Sequence, residues 1–212
     1  MKITHITRLS STSRMLTHPS YKPAKQGSIS DARELVSGIL ATPNKAFPGS
    51  GWICPVIKPA GNRIPLALAE YIASNSRLLL CDSIFLQHTP HGSAMIDRLY
   101  YSPVYSGRVL PGNYIIADDV YTTGQTLKSL KEYIESNGGN VIEAYCIGSG
   151  PSLEFEPSRI LLKILLARFP DISQYFNINT LTAPQVHYLL RFSRLNKLFD
   201  RRYQSQLSLM FV

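Results

Sequence analysis

The feature that most constrains this chain is a short apolar run that leads, through two acidic residues and a glycine-containing loop, into a helical pattern. Residues 114–117 are apolar and rich in isoleucine, and the run is too short for a helix, so it predicts a buried strand. From Leu127 onward the apolar residues follow helical spacing, and Gly138 ends the pattern. Residues 118–126 are therefore predicted to form a turn from a strand into a helix.

The residues of this turn suit a ligand that carries both a phosphate group and hydroxyl groups. The N-terminus of a helix binds anions, because its backbone N–H groups are free and the helix dipole is positive there. Asp118 and Asp119 cannot bind that anion, but they suit hydroxyl groups or a metal ion of the same ligand. A sugar phosphate combines these features. An ordinary strand-to-helix turn capped by Asp and Thr is the structural alternative.

The sequence YIIADDVYTTGQTL, residues 114–127, resembles the phosphoribosyl-pyrophosphate (PRPP) signature of type I phosphoribosyltransferases. The resemblance implies that Asp118 and Asp119 hold the 2′ and 3′ hydroxyls of ribose. It also implies PRPP or a nucleotide as the substrate, with Mg²⁺ carried by the substrate near the two acids. The loop that follows would wrap the 5′-phosphate, through Thr122, Thr123, Gly124, Gln125 and Thr126.

The segment KPAGNR, residues 58–63, follows the predicted strand GWICPVI and corresponds to the pyrophosphate-binding loop of that family. Gly61 would let the ligand approach closely, and both Gly61 and Asn62 are expected to contact the substrate. Lys58 and Arg63 are expected to face the pyrophosphate that leaves. A plain connection between a strand and a helix, with two surface cations, is the alternative.

Residues 87–103 correspond to the flexible loop that closes over the active site in the family, and Arg98 matches a position that is often basic there. PRPP loses pyrophosphate through an oxocarbenium-like state, so stabilising the departing pyrophosphate is the main catalytic task. We expect Lys58, Arg63 and Arg98 to perform it. Thr122 stands where purine-salvage members have an acid, so the identity of the acceptor base is left open.

The rest of the core predicts strands that alternate with helices, which is typical of a parallel sheet covered by helices. Strands are predicted in RLLLCDSIFL, VYSGRVL and GNVIEAYCIG, and a helix in GNRIPLALAEYIASN. We therefore predict an α/β fold of the type I phosphoribosyltransferase kind with a C-terminal helical subdomain. The expected division is a basic N-terminal arm with hood elements at 1–50, the core at 51–150 and a basic helical extension at 151–212.

Composition narrows the class of protein. A chain of 212 residues with 44% hydrophobic content can bury one good core, and no stretch has the apolar length of a membrane span. Cys54, Cys81 and Cys146 lie far apart in apolar segments, which predicts buried thiols and neither a disulfide framework nor a metal site. We therefore expect a cytoplasmic protein.

The net charge of +8 is unevenly distributed, because residues 31–156 are net acidic and both flanks are basic. In the C-terminal flank, residues 182–185 predict a capping box that opens a helix, with Arg191, Arg194 and Lys197 on its polar side. One interpretation is a hood or dimerisation subdomain with a solvated basic face. The other is a surface for nucleic acid or an acidic protein. Whether the chain forms a homodimer or a larger complex is left open.

A closer resemblance concerns the biological context. The run from GNRIP through HTPHGSAMIDRL to GNYIIADDVYTTGQTL is similar to phosphoribosyltransferase-like proteins of mobile elements and anti-phage systems. Some retron-type cassettes carry such a protein beside a reverse transcriptase. The resemblance implies transfer or cleavage at the ribose C1 position in such a system. The alternative is a catalytically inactive module of the same fold that binds a sugar phosphate and assembles with nucleic acid or a protein.

Overall fold

The computed structural model describes residues 7–40, 47, 50–58, 60–88, 99, 102–149 and 153–192. The strands are β1 (Thr7–Arg8), β2 (Gly51–Pro55), β3 (Leu78–Leu80), β4 (Ile84–His88), β5 (Val104–Gly107), β6 (Gly112–Tyr121) and β7 (Gly139–Ser149). The α-helices are α1 (Thr12–Leu16), α2 (Tyr21–Lys25), α3 (Ile29–Ile39), α4 (Ile64–Ser74), α5 (Gln125–Ser136), α6 (Arg159–Arg168) and α7 (Ala183–Leu189). In this part of the chain no helix has the length and apolar character needed to cross a membrane.

Five strands form one sheet in the order β1-β7-β6-β2-β3, and every neighbouring pair in it runs parallel. Parallel neighbours need a crossover, which α4 supplies between β2 and β3 and α5 supplies between β6 and β7. The predicted fold class, an α/β fold with a parallel sheet flanked by helices and a C-terminal helical subdomain, is confirmed.

Helices cover both faces of this sheet. On one face α3 and α4 pack against a buried cluster that includes Ile53 and Ile115. On the other face α5 and the β4–β5 pair pack against a cluster that includes Ile116 and Cys146. Ile115 and Ile116 enter different clusters because successive side chains of a strand point to opposite faces. The three cysteines are buried and unbridged, as predicted.

Strand β6 is longer than the four residues that the sequence predicted. On its β2 side the parallel pairing ends at Ala117, but on its β7 side it continues through Asp118, Val120 and Tyr121. The expectation that the two acids follow the end of the strand is therefore wrong. They lie in its last four residues, because β7 supplies hydrogen-bond partners where β2 no longer does.

The segment RLLLCDSIFL forms two strands, whereas the sequence predicted one. β3 pairs with β2, but β4 leaves the main sheet and pairs antiparallel with β5. The chain changes direction at Ser83, whose hydroxyl donates to the Arg108 carbonyl at 2.9 Å. Gly107 allows this close crossing, since a Cβ there would lie 1.9 Å from the Ser83 carbonyl oxygen. Because β4 pairs with β5, the segment forms two strands where its apolar pattern predicted one.

The N-terminal residues are part of the same core. β1 is an edge strand of the main sheet and pairs with β7 through Thr7 and Arg8. Met15, Ala24 and Leu35, from α1, α2 and α3, are buried in the cluster that contains α4. The basic N-terminal segment therefore supplies an edge strand and three helices that cover one face of the sheet.

The C-terminal residues form a third buried cluster from α6, α7 and two short 3₁₀ helices, Pro170–Gln174 and Ile178–Thr180. The capping box predicted at Thr182 and Gln185 is confirmed at the start of α7. This helix ends at Leu189, so the prediction that Arg191 lies on it is wrong. The chain turns there because Phe192 packs back into the cluster and its carbonyl accepts a hydrogen bond from Arg168. Arg194 and Lys197 lie outside the described residues.

Candidate functional site

The two loops that carry most of the predicted substrate-binding residues lie where the order of the sheet reverses. β2 and β6 are neighbours, but the crossover after β2 leads to one side of the sheet and the crossover after β6 leads to the other. Their helices, α4 and α5, lie on opposite faces. Ligands of open α/β sheets bind in the crevice at such a point, outside the carboxyl ends of the strands. Residues 56–58 follow β2 at this edge, and residues 122–124 follow β6 there.

Asp119 is the best-connected acid of the site. Its Oδ2 forms an ion pair with Lys25 Nζ and accepts a hydrogen bond from Asn62 Nδ2 at 3.0 Å. Burial would lower the pKa of Lys25, but the Asp119 charge and hydrogen bond outweigh it, so the pKa of Lys25 is raised. Asn62 is itself oriented, because its Oδ1 accepts from the Ile64 N–H at 3.2 Å. One carboxylate therefore joins α2, the loop after β2 and β6.

Asp118 is also buried. Only 8% of the residue is exposed, and its Oδ1 accepts the Asp119 backbone N–H at 2.9 Å. Burial, followed by the neighbouring charge of Asp119, raises the pKa of Asp118 well above its ordinary value. The charged form is disfavoured in the free protein. Groups whose pKa values are perturbed in this way, at a crevice, are candidates for function.

The loop after β6 has a conformation that depends on glycine. Gly124 has a φ of +75° and is the N-cap of α5, and a Cβ there would lie 2.8 Å from the Tyr121 ring. Thr123 is buried and its Oγ1 accepts the Gln125 N–H at 3.4 Å, whereas Thr122 is exposed. The first N–H groups of α5 have no partner within the helix; that of Gln125 donates to Thr123, and those after it can donate to an anion.

The loop after β2 lies beside this edge and is supported by α2. Gly61 has a φ of +85°, and the Arg63 N–H donates to the Ala24 carbonyl at 3.0 Å. Lys58 and Arg63 are half-buried in this loop. The structure thus brings Asn62 onto the acid pair and keeps Lys58 and Arg63 in the adjoining loop. Arg98, the third predicted cation, lies outside the described residues.

The sequence did not predict that Lys25 belongs to the site. It predicted Lys25 only as one of the cations of the N-terminal flank. Lys25 and Asp119 are 94 positions apart, and no spacing or motif connects them. The one local signal is its place before Gly27, which has a φ of +114° and approaches Gly61 closely. That contact aligns the end of α2 with the loop after β2 and so directs Lys25 toward the acids.

The donor groups of the site suit a metal that arrives with its ligand. In the described part of the chain, no three His, Cys, Asp or Glu side chains are grouped to hold a metal ion. Mg²⁺ is commonly bound through one or two carboxylates, with water and substrate phosphates completing its shell. The carboxylates of Asp118 and Asp119 fit that limited role.

No protein-family model matches this chain. It is 34% identical over 142 residues to "Protein TraN" of Escherichia coli, covering 61% of this chain and 32% of that protein. It is also 34% identical over 131 residues to an uncharacterised protein of Haemophilus influenzae, covering 56% of this chain and 29% of that protein. The chain therefore spans about a third of the length of these two relatives.

Among solved structures, the chain is similar to orotate phosphoribosyltransferase from Aeropyrum pernix, with 19% identity and a TM-score of 0.35 over 67% of each chain. It is also similar to an adenine phosphoribosyltransferase, with 16% identity and a TM-score of 0.36 over 65% of this chain and 74% of that one.

Proposed function

We propose that this chain is a phosphoribosyltransferase-like protein that binds Mg²⁺–PRPP or a nucleotide and transfers or cleaves at the ribose C1 position. The observation that carries the proposal is the meeting of two carboxylates and a glycine-capped helix N-terminus at the point where the sheet order reverses. Hydroxyl-binding and phosphate-binding groups thereby adjoin one crevice.

Each group has a role in this proposal. Asp118 and Asp119 accept hydrogen bonds from the 2′ and 3′ hydroxyls of ribose. The loop after β6 and the first N–H groups of α5 bind the 5′-phosphate. Lys58, Arg63 and Arg98, with the backbone at Gly61 and the amide of Asn62, receive the pyrophosphate. These cations stabilise the negative charge that develops on the leaving group.

A bound Mg²⁺ would neutralise the phosphates of the ligand, which would carry it to the neighbourhood of Asp118 and Asp119. The protein's own contribution is orientation. Asn62 fixes Asp119, and the backbone N–H of Asp119 fixes Asp118. Both acids are more than nine-tenths buried, so they meet a ligand in already defined positions.

A second candidate is a catalytically inactive module that binds a sugar phosphate and assembles with nucleic acid or a protein. The observation that favours it is the Lys25–Asp119 ion pair, because one proposed ribose ligand already has a cationic partner in the free protein.

The experiment that tests the proposal is calorimetry with Mg²⁺–PRPP and with ribose 5-phosphate, followed by assay for pyrophosphate release. The wild type should bind both ligands, and Asp118→Asn with Asp119→Asn should bind neither while keeping its fold. Asp171→Asn, which alters an exposed acid in a 3₁₀ helix, is the matched control. PRPP binding without release of its pyrophosphate in the presence of any tested acceptor base would favour the inactive module. Equal PRPP affinity in wild type and double variant would contradict the assignment of the acids.

The wider context is also a proposal. The sequence resemblance to mobile-element and retron-type anti-phage proteins leads us to propose that the chain acts in such a system. Segments 1–50, 51–150 and 151–212 would then be the basic N-terminal part with its hood elements, the core and the basic helical extension. The basic flanks would then meet nucleic acid or an acidic protein. Comparing nucleotide pools by mass spectrometry, in cells that carry the wild type or the double acid variant, tests this context.

A further inference from the structure

The C-terminal cluster is hydrogen-bonded directly to the loop that follows β6. Thr182 Oγ1 donates to the Thr123 carbonyl, and Gln185 Nε2 donates to Gln125 Oε1 at 3.0 Å. Thr182 and Gln185 are each only 1% exposed. Buried hydrogen bonds of this kind are strengthened by the low dielectric around them and fix the groups that they join. The loop is therefore held from outside the sheet.

The same two side chains cap helix α7. Gln185 Oε1 accepts the Thr182 N–H at 2.8 Å, and Thr182 Oγ1 accepts the Gln185 N–H at 3.4 Å. The Thr182 hydroxyl has a single proton, and its possible acceptors are the Thr123 carbonyl and, at 3.2 Å, Gln185 Oε1. The helix cap and the loop contact thus belong to one network, because both use the Thr182 and Gln185 side chains.

Further contacts extend this network along the loop and the first turn of α5. Gln125 uses the other end of its amide to donate to Ser102 Oγ at 2.8 Å. One turn later Lys128 Nζ donates to the Thr180 carbonyl. A Cβ on Gly124 would also lie 3.3 Å from Thr182 Cγ2, so the two segments are in close contact. The candidate phosphate loop is braced at several points along its length.

We propose that Thr182 and Gln185 are positioning residues for phosphate binding. They hold the loop at Thr123 and Gln125 in the conformation that accepts a phosphate group, and so couple the C-terminal cluster to the site. The ligand in this inference rests on the proposed function, whereas the bracing of the loop does not. Because coupling between two sites is reciprocal, a partner that loosens the C-terminal cluster weakens phosphate binding.

The variants are chosen to separate bracing from general stability. Thr182→Val removes the hydroxyl at nearly constant shape, and Thr182→Ser keeps it. Ser158→Ala is the matched control, because Ser158 caps α6 in the same cluster, through the Leu161 N–H at 3.1 Å, without touching the loop. Gln125→Leu breaks the loop side of the network and leaves the α7 cap intact, so it serves if Thr182→Val does not fold.

The first measurement is hydrogen exchange of the ligand-free protein. Backbone N–H groups of residues 123–127 should exchange about tenfold faster in Thr182→Val than in wild type, as expected for the loss of one buried hydrogen bond. Thr182→Ser and Ser158→Ala should leave this segment unchanged. Equal exchange there in wild type and in Thr182→Val, or in Gln125→Leu where it is needed, overturns the bracing.

The second measurement is calorimetry with ribose 5-phosphate, and with inorganic phosphate as a simpler probe. Thr182→Val should bind ribose 5-phosphate about tenfold more weakly, with Thr182→Ser and Ser158→Ala close to wild type. Wild-type affinity in a Thr182→Val protein whose loop exchanges faster overturns the coupling to the ligand. If the wild type binds neither probe, the proposed function fails, and with it the coupling to a phosphate, while the exchange data still decide the bracing.

Discussion

Lys25 and Asp119 form an ion pair at the carboxyl end of β6, although 94 positions separate them in the sequence. The side chain of Asp119 is 8% exposed and that of Lys25 is 35% exposed, so the pair lies at the mouth of the crevice. In the free protein Lys25 is the cationic partner of the Asp119 carboxylate. A ligand hydroxyl or cation that reaches Asp119 must share the carboxylate with Lys25 or displace it.

Replacing this lysine tests the importance of the pair for stability. Lys25→Met should lower the free energy of unfolding by about 1–2 kcal/mol at pH 7, because it leaves a largely buried carboxylate with fewer partners. Lys22→Met, an exposed position on the same helix, should change it by less than about 0.5 kcal/mol. Since the pKa of Lys25 is raised, the contribution of the pair is present below pH 10.5 and is lost as the pH rises above that value. Urea denaturation at pH 7 and pH 11 measures the contribution of the pair and its pH dependence. Equal stability of Lys25→Met and Lys22→Met at pH 7 would contradict the expected contribution.

Neutralising Asp118 should stabilise the free protein while it removes a proposed ligand contact. Its pKa is raised, so wild-type stability falls as the pH rises above the ordinary value of 3.8 toward the folded-state pKa. Asp118→Asn keeps an oxygen for the Asp119 N–H and has no charge to bury. Its advantage should be absent below pH 3.8 and reach about 1 kcal/mol or more at pH 7. Denaturation over this pH range, with Asp171→Asn as the exposed control, checks the sign. A loss of stability at pH 7 would show that the charged form is favoured.

The glycine at the start of α5 offers a test of loop geometry with an internal control. Gly124→Ala and Gly138→Ala both place a side chain at positive φ, at a cost of about 1–2 kcal/mol. A Cβ on Gly138 meets open space, whereas one on Gly124 lies 2.8 Å from the Tyr121 ring. Gly124→Ala should therefore cost about 1–3 kcal/mol more. Thermal denaturation compares the two variants, and equal losses would indicate that Tyr121 moves aside freely.

The basic C-terminal residues test the proposed nucleic-acid partner. If Arg191, Arg194 and Lys197 neutralise phosphates of duplex DNA, replacing each of them with alanine should reduce the slope of log affinity against log salt by about 0.9. Arg191 is exposed. The control is Arg77→Ala, which removes an exposed cation after α4 and should leave the slope unchanged. Fluorescence anisotropy over a salt series, with duplex and single-stranded DNA and RNA, measures the slope for wild type and for the triple alanine variant. Superimposable curves for these two proteins would exclude this surface.

Local patterns explain what the sequence could predict. The strand–loop–helix unit around Asp118 and Asp119, and the capping box at Thr182 and Gln185, depend on residues a few positions apart, and both are present. The parallel sheet followed from the alternation of such units.

Interactions between distant segments explain what it could not predict. Strand β6 continues past Ala117 only because β7 lies beside it. The chain turns at Ser83 because β4 pairs with β5 and not with the main sheet. The approach of Lys25 to Asp119 and of Gln185 to Gln125 has no counterpart in spacing or composition. These interactions connect three separate buried clusters, and no single-sequence periodicity encodes such docking.

The edge strand β1 sets an order of events during synthesis of the chain. Thr7 pairs with Tyr145. The Thr7 hydroxyl donates to Glu143, which lies 136 positions further along the sequence. Thr7 and Arg8 must therefore wait until β7 has been made before they can join the sheet. Closing so long a span is a late and entropically costly step.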